Sequence, residues 1–169
     1  MKLIEALKKI KELQRKVEDL RDLVKNHCAR SSLETDKYEG QAKKVSGWIQ
    51  SHSDILKEIL RLRVAIQRTN IETKVSIMLG EKTVTKSITE WIHRRRDLSG
   101  EELKMWNCLS DRGIVEGMGK GPTGDPLQIK IVRFYDPVER DNHRDLFQSE
   151  PIIIDSTLEV INAITDLIE

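Results

Sequence analysis

The chain has 169 residues, 34% of them charged and 38% hydrophobic, a balance that suits an elongated or repeatedly contacting protein better than a compact enzyme core. Lys and Arg total 29 against 28 Asp and Glu, for a net charge of +1, so no global field draws in nucleic acid or anionic lipid and any basic site is local. No run approaches the ~20 apolar residues of a membrane span, and the charge-dense start after Met1-Lys2-Leu3-Ile4-Glu5 lacks the apolar stretch of a signal peptide, so a soluble, cytoplasmic protein without a membrane partner is expected.

From the start, apolar residues recur as Leu3, Ala6, Ile10, Leu13, Val17, Leu20 and Val24, alternating steps of three and four that predict a helix with a heptad seam. The polar stretch from Ser31 to Gly40 reads as a turn. The pattern resumes with Val45, Trp48, His52, Ile55, Ile59, Leu62 and Ile66, so residues 1–70 are expected to form a long antiparallel, coiled-coil-like hairpin. Trp48, Ile49 and Leu56 widen its apolar stripe beyond what two helices cover, which implies a third helix or another subunit. His27 and His52 lie on the seams, where histidines are mostly packed or hydrogen-bonded.

After Asn70 the period becomes two, with Thr73, Val75 and Ile77 before a Gly80-Glu81-Lys82 turn and Val84 after it, the pattern of a β-hairpin. Ser87 with Glu90, and Ser99 with Glu102, form two capping-box patterns that open short helices. Residues 113–126 are rich in Gly and Pro and read as loop. Leu127, Ile129 and Ile131 read as a strand ending at Asp136-Pro137, residues 139–150 as polar loop with a helical turn, and Asp155 or Ser156 as the cap of a last helix. The fold class expected is mainly α with a small β component (α+β). Residues 71–169 are expected to pack on the hairpin as part of one folding unit.

Cys28 and Cys108 have neither disulfide nor zinc spacing and are expected to be reduced and buried. The main polar cluster is His93-Arg94-Arg95-Arg96-Asp97, with Arg68-Thr69-Asn70 at the end of the second long helix. Arginine suits phosphate because it stays charged and donates in bidentate fashion, while the competing role for the triplet is a solvated face paired with acids such as Glu90 and Asp97. Gly117-Met118-Gly119-Lys120-Gly121 presents backbone N–H groups and the Lys120 charge to an anion, yet lacks the P-loop spacing and fits a connector equally well. Asp136, Glu139, Asp141, His143 and Asp145 match no metal motif, so neither metal nor cofactor is expected. Few aromatic residues are available for base stacking, so nucleic acid is not an expected partner. The second helix ends in Leu62, Ile66, Asn70 and Thr73, and the last helix in Leu158, Asn162 and Thr165. This echo fits two equivalent helix ends meeting in a polar layer, as well as the common use of Asn and Thr to end helices.

At Arg68-Thr69-Asn70 with Thr73, then Thr89-Glu90-Trp91-Ile92 and Arg94-Arg95-Arg96-Asp97, the chain resembles the septicolysin-like family of small helical proteins from bacteria and phages. The resemblance implies a homo-oligomeric helical bundle without an established reaction, and marks Arg68, Asn70, Thr73, Arg95 and Arg96 as positions matching the family pattern. The long segment 113–150 resembles forms from phage and prophage genomes. The expectation is a homo-oligomeric, non-enzymatic protein that holds an anionic small molecule such as a nucleotide in an arginine-lined pocket between subunits. Arg68, Asn70, Thr73, Arg94, Arg95, Arg96 and Lys120 are its candidate ligands. Encoded by a phage, it would sequester a signal in the host cytoplasm. The alternative is a virion or scaffold component acting only through helical contact surfaces.

Overall fold

The computed structural model describes residues 1–168. It is mainly helical with two small antiparallel two-stranded sheets. Its contacts divide the chain into two compact units, Met1–Thr73 with the residues from Leu158 onward, and Lys74–Thr157. None of the described helices is long and apolar enough to cross a membrane.

In the first unit, α1 (Leu3–His27) and α2 (Gln41–Glu72) form the expected hairpin. The chain turns into α2 at Gly40, whose φ of +63° lies in the left-handed region that glycine enters without strain. The two heptad seams meet: Ala6, Ile10, Val17, Ile59 and Leu62 are buried together, with Leu13, Ile55, Ile66 and Leu167 packed against them. Lys9 pairs with Glu58 at 3.0 Å across the hairpin. At its far end His27, Tyr38 and Trp48 form a ring cluster. Trp48 therefore packs within the hairpin and does not widen the outward stripe.

The outer side of α2 is apolar as well. Ile49, Leu56, Leu60, Val64 and Ile71 are 44% to 64% exposed. With exposed Ala42, Ser46, Ser53 and Gln67 they complete a second seam of three- and four-residue steps. At about 100° per residue this seam lies opposite Leu62. It contains no charged residue from Ala42 to Ile71.

The end of the chain straps the open end of the hairpin. Leu3 N–H donates to the Thr165 carbonyl at 3.0 Å, Leu167 N–H to the Met1 carbonyl at 2.8 Å, and Lys2 reaches both the Ile164 carbonyl and Asp166 at 2.8 Å. Buried Thr69 accepts from Ile168 N–H at 2.9 Å while its hydroxyl donates to the Ala65 carbonyl. The polar junction of the two helix ends thus runs through Thr69 rather than Asn70 or Thr73.

In the second unit, β1 (Lys74–Leu79) and β2 (Lys82–Ser87) pair antiparallel around the predicted Gly80-Glu81 turn, with Val75 and Ile77 facing inward. The Ser87/Glu90 capping box opens α3 (Ile88–His93). The indole N–H of fully buried Trp91 donates to the Val75 carbonyl at 2.9 Å. A π-helical turn (Arg94–Leu98) then leads into α4 (Ser99–Asn107). Because Ser99 N–H already donates to the Arg94 carbonyl, Ser99 does not act as a cap, contrary to the sequence expectation.

Two further expectations change. The segment expected as loop holds β3 (Gly117–Lys120), which pairs with β4 (Pro126–Ile129), so the strand expected at residues 127–133 is shorter and belongs to a hairpin. The last helix, α5 (Pro137–Ile164), starts at the residue expected to end a strand and runs through Pro151. Asp136 caps it, accepting from Val138 N–H at 2.8 Å, and Pro137 takes the first-turn position where its missing N–H costs nothing. Pro151 removes the hydrogen bond that the Phe147 carbonyl would receive, and the Ser99 hydroxyl occupies that carbonyl at 3.1 Å.

Two leucines on α2 separate the two seams experimentally. Leu62→Ala, on the buried side, is expected to cost about 2 to 5 kcal/mol in denaturant unfolding, whereas Leu60→Ala, measured at dilution, is expected to stay within about 0.5 kcal/mol of the parent.

Candidate functional site

Three consecutive arginines cannot point one way on a helix, and here each finds its own acid. Arg94 turns inward onto Glu150, which is 1% exposed, with bonds of 2.6 and 3.0 Å. Its guanidinium also lies 5.4 Å from the Phe147 ring centroid and 3.6 Å from Glu102. The bonds to Glu150 hold Arg94 above the ordinary guanidinium pKa, against the opposing effect of burial. Arg95 pairs with Asp155, and Arg96 lies between His93 Nδ1 at 3.0 Å and Asp97 at 3.4 Å. The π turn explains the Glu150 arrangement: i to i+5 bonding brings residues five apart into line, so Arg94 and Ser99 share a face. The Ser99 hydroxyl accordingly lies 2.8 Å from Glu150 Oε2. With its hydroxyl shared between a carboxylate and a carbonyl in a buried position, Ser99 is a structural group.

Arg68, Asn70 and Thr73 belong to the first unit, at the end of α2. Thr73 closes the helix, its N–H donating to the Thr69 carbonyl at 2.9 Å, Asn70 is half-buried, and Arg68 is exposed. Arg68 lines a groove of about 340 Å³ with Arg61, Leu62, Val64, Ala65 and Leu167. Arg61 and Arg68 stand seven residues apart, two turns along one face of α2, over an apolar floor. Arg61 grips Glu58 through Nε at 3.0 Å and Nη2 at 3.1 Å, and Lys9 binds the same carboxylate at 3.0 Å. These cations bring the Glu58 pKa from 4.5 down to about 2, the Arg61 bond contributing most. Two guanidiniums above an apolar floor can hold a flat molecule that carries negative charge. Arg61 had escaped the sequence reading, although its seven-residue offset from Arg68 was the available signal.

The other candidates lie elsewhere. Lys120 is exposed at the end of β3, opposite Pro126, and the glycine-rich run around it forms the β3–β4 hairpin. In the acidic segment, Asp136 caps α5, Asp141 pairs with Arg140 at 2.8 Å, and His143 stacks on Trp106 with centroids 4.1 Å apart. Both cysteines are exposed, contrary to expectation, because Cys28 ends α1 at the hairpin tip and Cys108 ends α4. Sequence reasoning also missed a network around Asp111. Arg133 clamps that carboxylate with two 2.7 Å bonds, and Tyr135 donates to it at 3.1 Å. Arg133 first, and Tyr135 after it, lower the Asp111 pKa. This network edges a cavity of about 360 Å³, its charges already matched to one another.

Comparison of the chain with family models and with curated proteins found no match. Among solved structures it is similar to a functionally unknown conserved protein from Corynebacterium diphtheriae, at 20% identity, over 99% of each chain, with a TM-score of 0.57. That likeness shows a shared fold.

Arg94→Ala leaves the Glu150 charge buried without its cation and is expected to cost about 3 to 5 kcal/mol in urea unfolding. Arg96→Ala, with its exposed partners, is expected to cost less than ~1 kcal/mol. Glu58 ionises at about 2 in the folded chain against an ordinary 4.5. Its contribution is therefore complete above pH 4.5 and lost as pH falls toward 2. Denaturant titrations at pH 5 and pH 3 are expected to show a smaller drop in Glu58→Gln than in the parent.

Proposed function

We propose that this protein is a homo-oligomeric, non-enzymatic binding protein that associates through the outer seam of α2 and holds an anionic small molecule of the nucleotide class. The carrying observation is the charge-free stripe along that helix, whose five large apolar residues stand 44% to 64% exposed. An apolar strip of that length on a folded protein marks a contact surface. The ligand site is the Arg61–Arg68 groove beside the stripe, where cations and apolar floor adjoin. Arg94 pairs with buried Glu150 and Arg95 with Asp155, and the arginine-lined pocket is proposed on α2 because Arg61 and Arg68 border the uncharged stripe. Membership of the septicolysin-like family, a phage origin and a role in sequestering a host signal belong to the same proposal.

A second reading has specific support. The stripe equally suits a structural assembly protein that acts only through helical contacts, and the pairing of the triplet with acids favours it. Ligand binding separates the two.

Light scattering on the purified chain is expected to give a closed oligomer that Leu60→Glu reduces to monomer. Calorimetry against a nucleotide panel is expected to find a binder whose affinity falls about 10- to 100-fold in Arg68→Ala, the loss typical of a charged hydrogen bond. A monomeric parent would sink the association, and a panel without a binder would leave the assembly reading.

A further inference from the structure

The register of the outer seam specifies how a second copy sits on it. We infer that two copies pair through α2 in antiparallel fashion, about a two-fold axis beside Leu56. The inference rests on the self-association proposed above and adds its geometry.

The seam reads almost the same in both directions from the Leu56–Lys57 peptide. An antiparallel partner places Ala42 against the partner's Ile71, Ser53 against the partner's Leu60, and Ile49 against the partner's Val64. Ala42 with Ile71 and Ser53 with Leu60 set a small residue against a large one, Ile49 and Val64 form a branched aliphatic layer, and Leu56 falls beside the partner's Lys57 at the axis, a pairing that lets two helices approach closely. A parallel pair in register would set Leu60 on the partner's Leu60 and Ser53 on the partner's Ser53, crowding one layer and emptying the next. Antiparallel helices also oppose their dipoles favourably.

The area is sufficient. The 32 residues of α2 give a strip ~48 Å long and ~11 Å wide, about 530 Å² on each copy. The pair covers about 1,050 Å², past the ~1,000 Å² expected of a specific interface. No position of the seam itself is charged, and Lys57, which the register sets beside the partner's Leu56, pairs with Asp54 at 3.0 Å on the exposed flank, so the cost that opposes burial of ionised groups is small.

The symmetry has a consequence for binding. A two-fold perpendicular to two antiparallel helices lays the same flank of each side by side. Lys43, Lys57, Arg61 and Arg68 lie on one flank of the seam. Within each copy Lys57 pairs with Asp54 and Arg61 with Glu58, both at 3.0 Å. The dimer therefore carries two copies of the Arg61–Arg68 groove along one edge of its interface, ~24 Å apart by the same register.

Cross-linking in a Cys28→Ser, Cys108→Ser background tests the register, because both native thiols are exposed. Chains carrying Ile49→Cys and chains carrying Val64→Cys are mixed, allowed to exchange and treated with a short bis-maleimide, with light scattering on the same samples. The expected result is a covalent dimer in the mixture and none from either variant alone, since an antiparallel pair holds two copies of residue 49 ~22 Å apart. Cross-linking of each variant with itself shows a parallel pair and overturns the inference. An oligomer without any cross-link shows that another surface is used, which overturns the inference and leaves self-association standing. A monomeric sample overturns both.

Discussion

α2 carries an apolar seam on each of two opposite sides, and α1 covers one. The inner side is settled within the hairpin, where Ile59 and Leu62 sink among Ala6, Ile10 and Val17, each large side chain gaining about 1.5 to 3 kcal/mol from burial. The outer side leaves comparable groups half in water. Its spacing repeats the heptad of the inner side, with a step of four at Leu60–Val64 where three would continue the repeat, an insertion that locally unwinds a coiled coil. Such spacing suits a helix with an apolar contact on each of two sides. That constraint accounts for the charged flanks, the uncharged seam and the proposal of a second copy.

The second unit is organised by a different force, the cost of burying one carboxylate. Glu150 is sealed from water at a position next to the proline in α5. It is tolerated because Arg94 meets it with two bonds and Ser99 approaches with a third polar contact. The π turn makes the arrangement possible. A regular α-helix would rotate Ser99 ~140° away from Arg94, leaving one of them unable to reach α5. Pro151 adds its own requirement, a carbonyl without a donor at Phe147, and the same Ser99 meets it. A proline, a π turn and a buried ion pair, each costly alone, therefore compensate one another through a single hydroxyl.

Period made the hairpin legible. The seams of α1 and α2, the Gly80-Glu81 turn and the Ser87 cap are local patterns with one physical reading, and each stands where its residues put it. Charge and punctuation misled where tertiary partners decide. Asp136-Pro137 ends strands and begins helices with equal ease, and here Asp136 supplies a cap and Pro137 a first turn. Pro151 reads as a helix boundary unless the Ser99 hydroxyl, fifty residues earlier, is known to serve the carbonyl it frees. Ser99 with Glu102 has the spacing of a capping box, but a helix that arrives through a π turn has no free N–H to cap. The arginine triplet is dense in sequence but dispersed in space. Its acids, Glu150 and Asp155, lie too far along the chain for spacing to reveal them. On α2, Arg61 was hidden for the opposite reason, since one arginine in a charged helix carries no local signal until Arg68 is seen two turns away above the same apolar floor.

The partners of these arginines also decide which of them can serve a ligand. An anion that drew Arg94 away would strand Glu150 in the interior, at several kcal/mol, and would have to bind very tightly to break even. Arg61 stands differently. Its acid, Glu58, is half-exposed and also held by Lys9 at 3.0 Å, so if Arg61 turns to a ligand the carboxylate keeps a cation and access to water. Arg61 thus differs from Arg94 in the state in which it would leave its carboxylate, which is the physical ground for proposing a ligand site on α2 and not at the triplet. A ligand that bound the paired chains better than the single chain would stabilise the assembly by mass action, and would thereby couple occupancy of the groove to pairing of the helices.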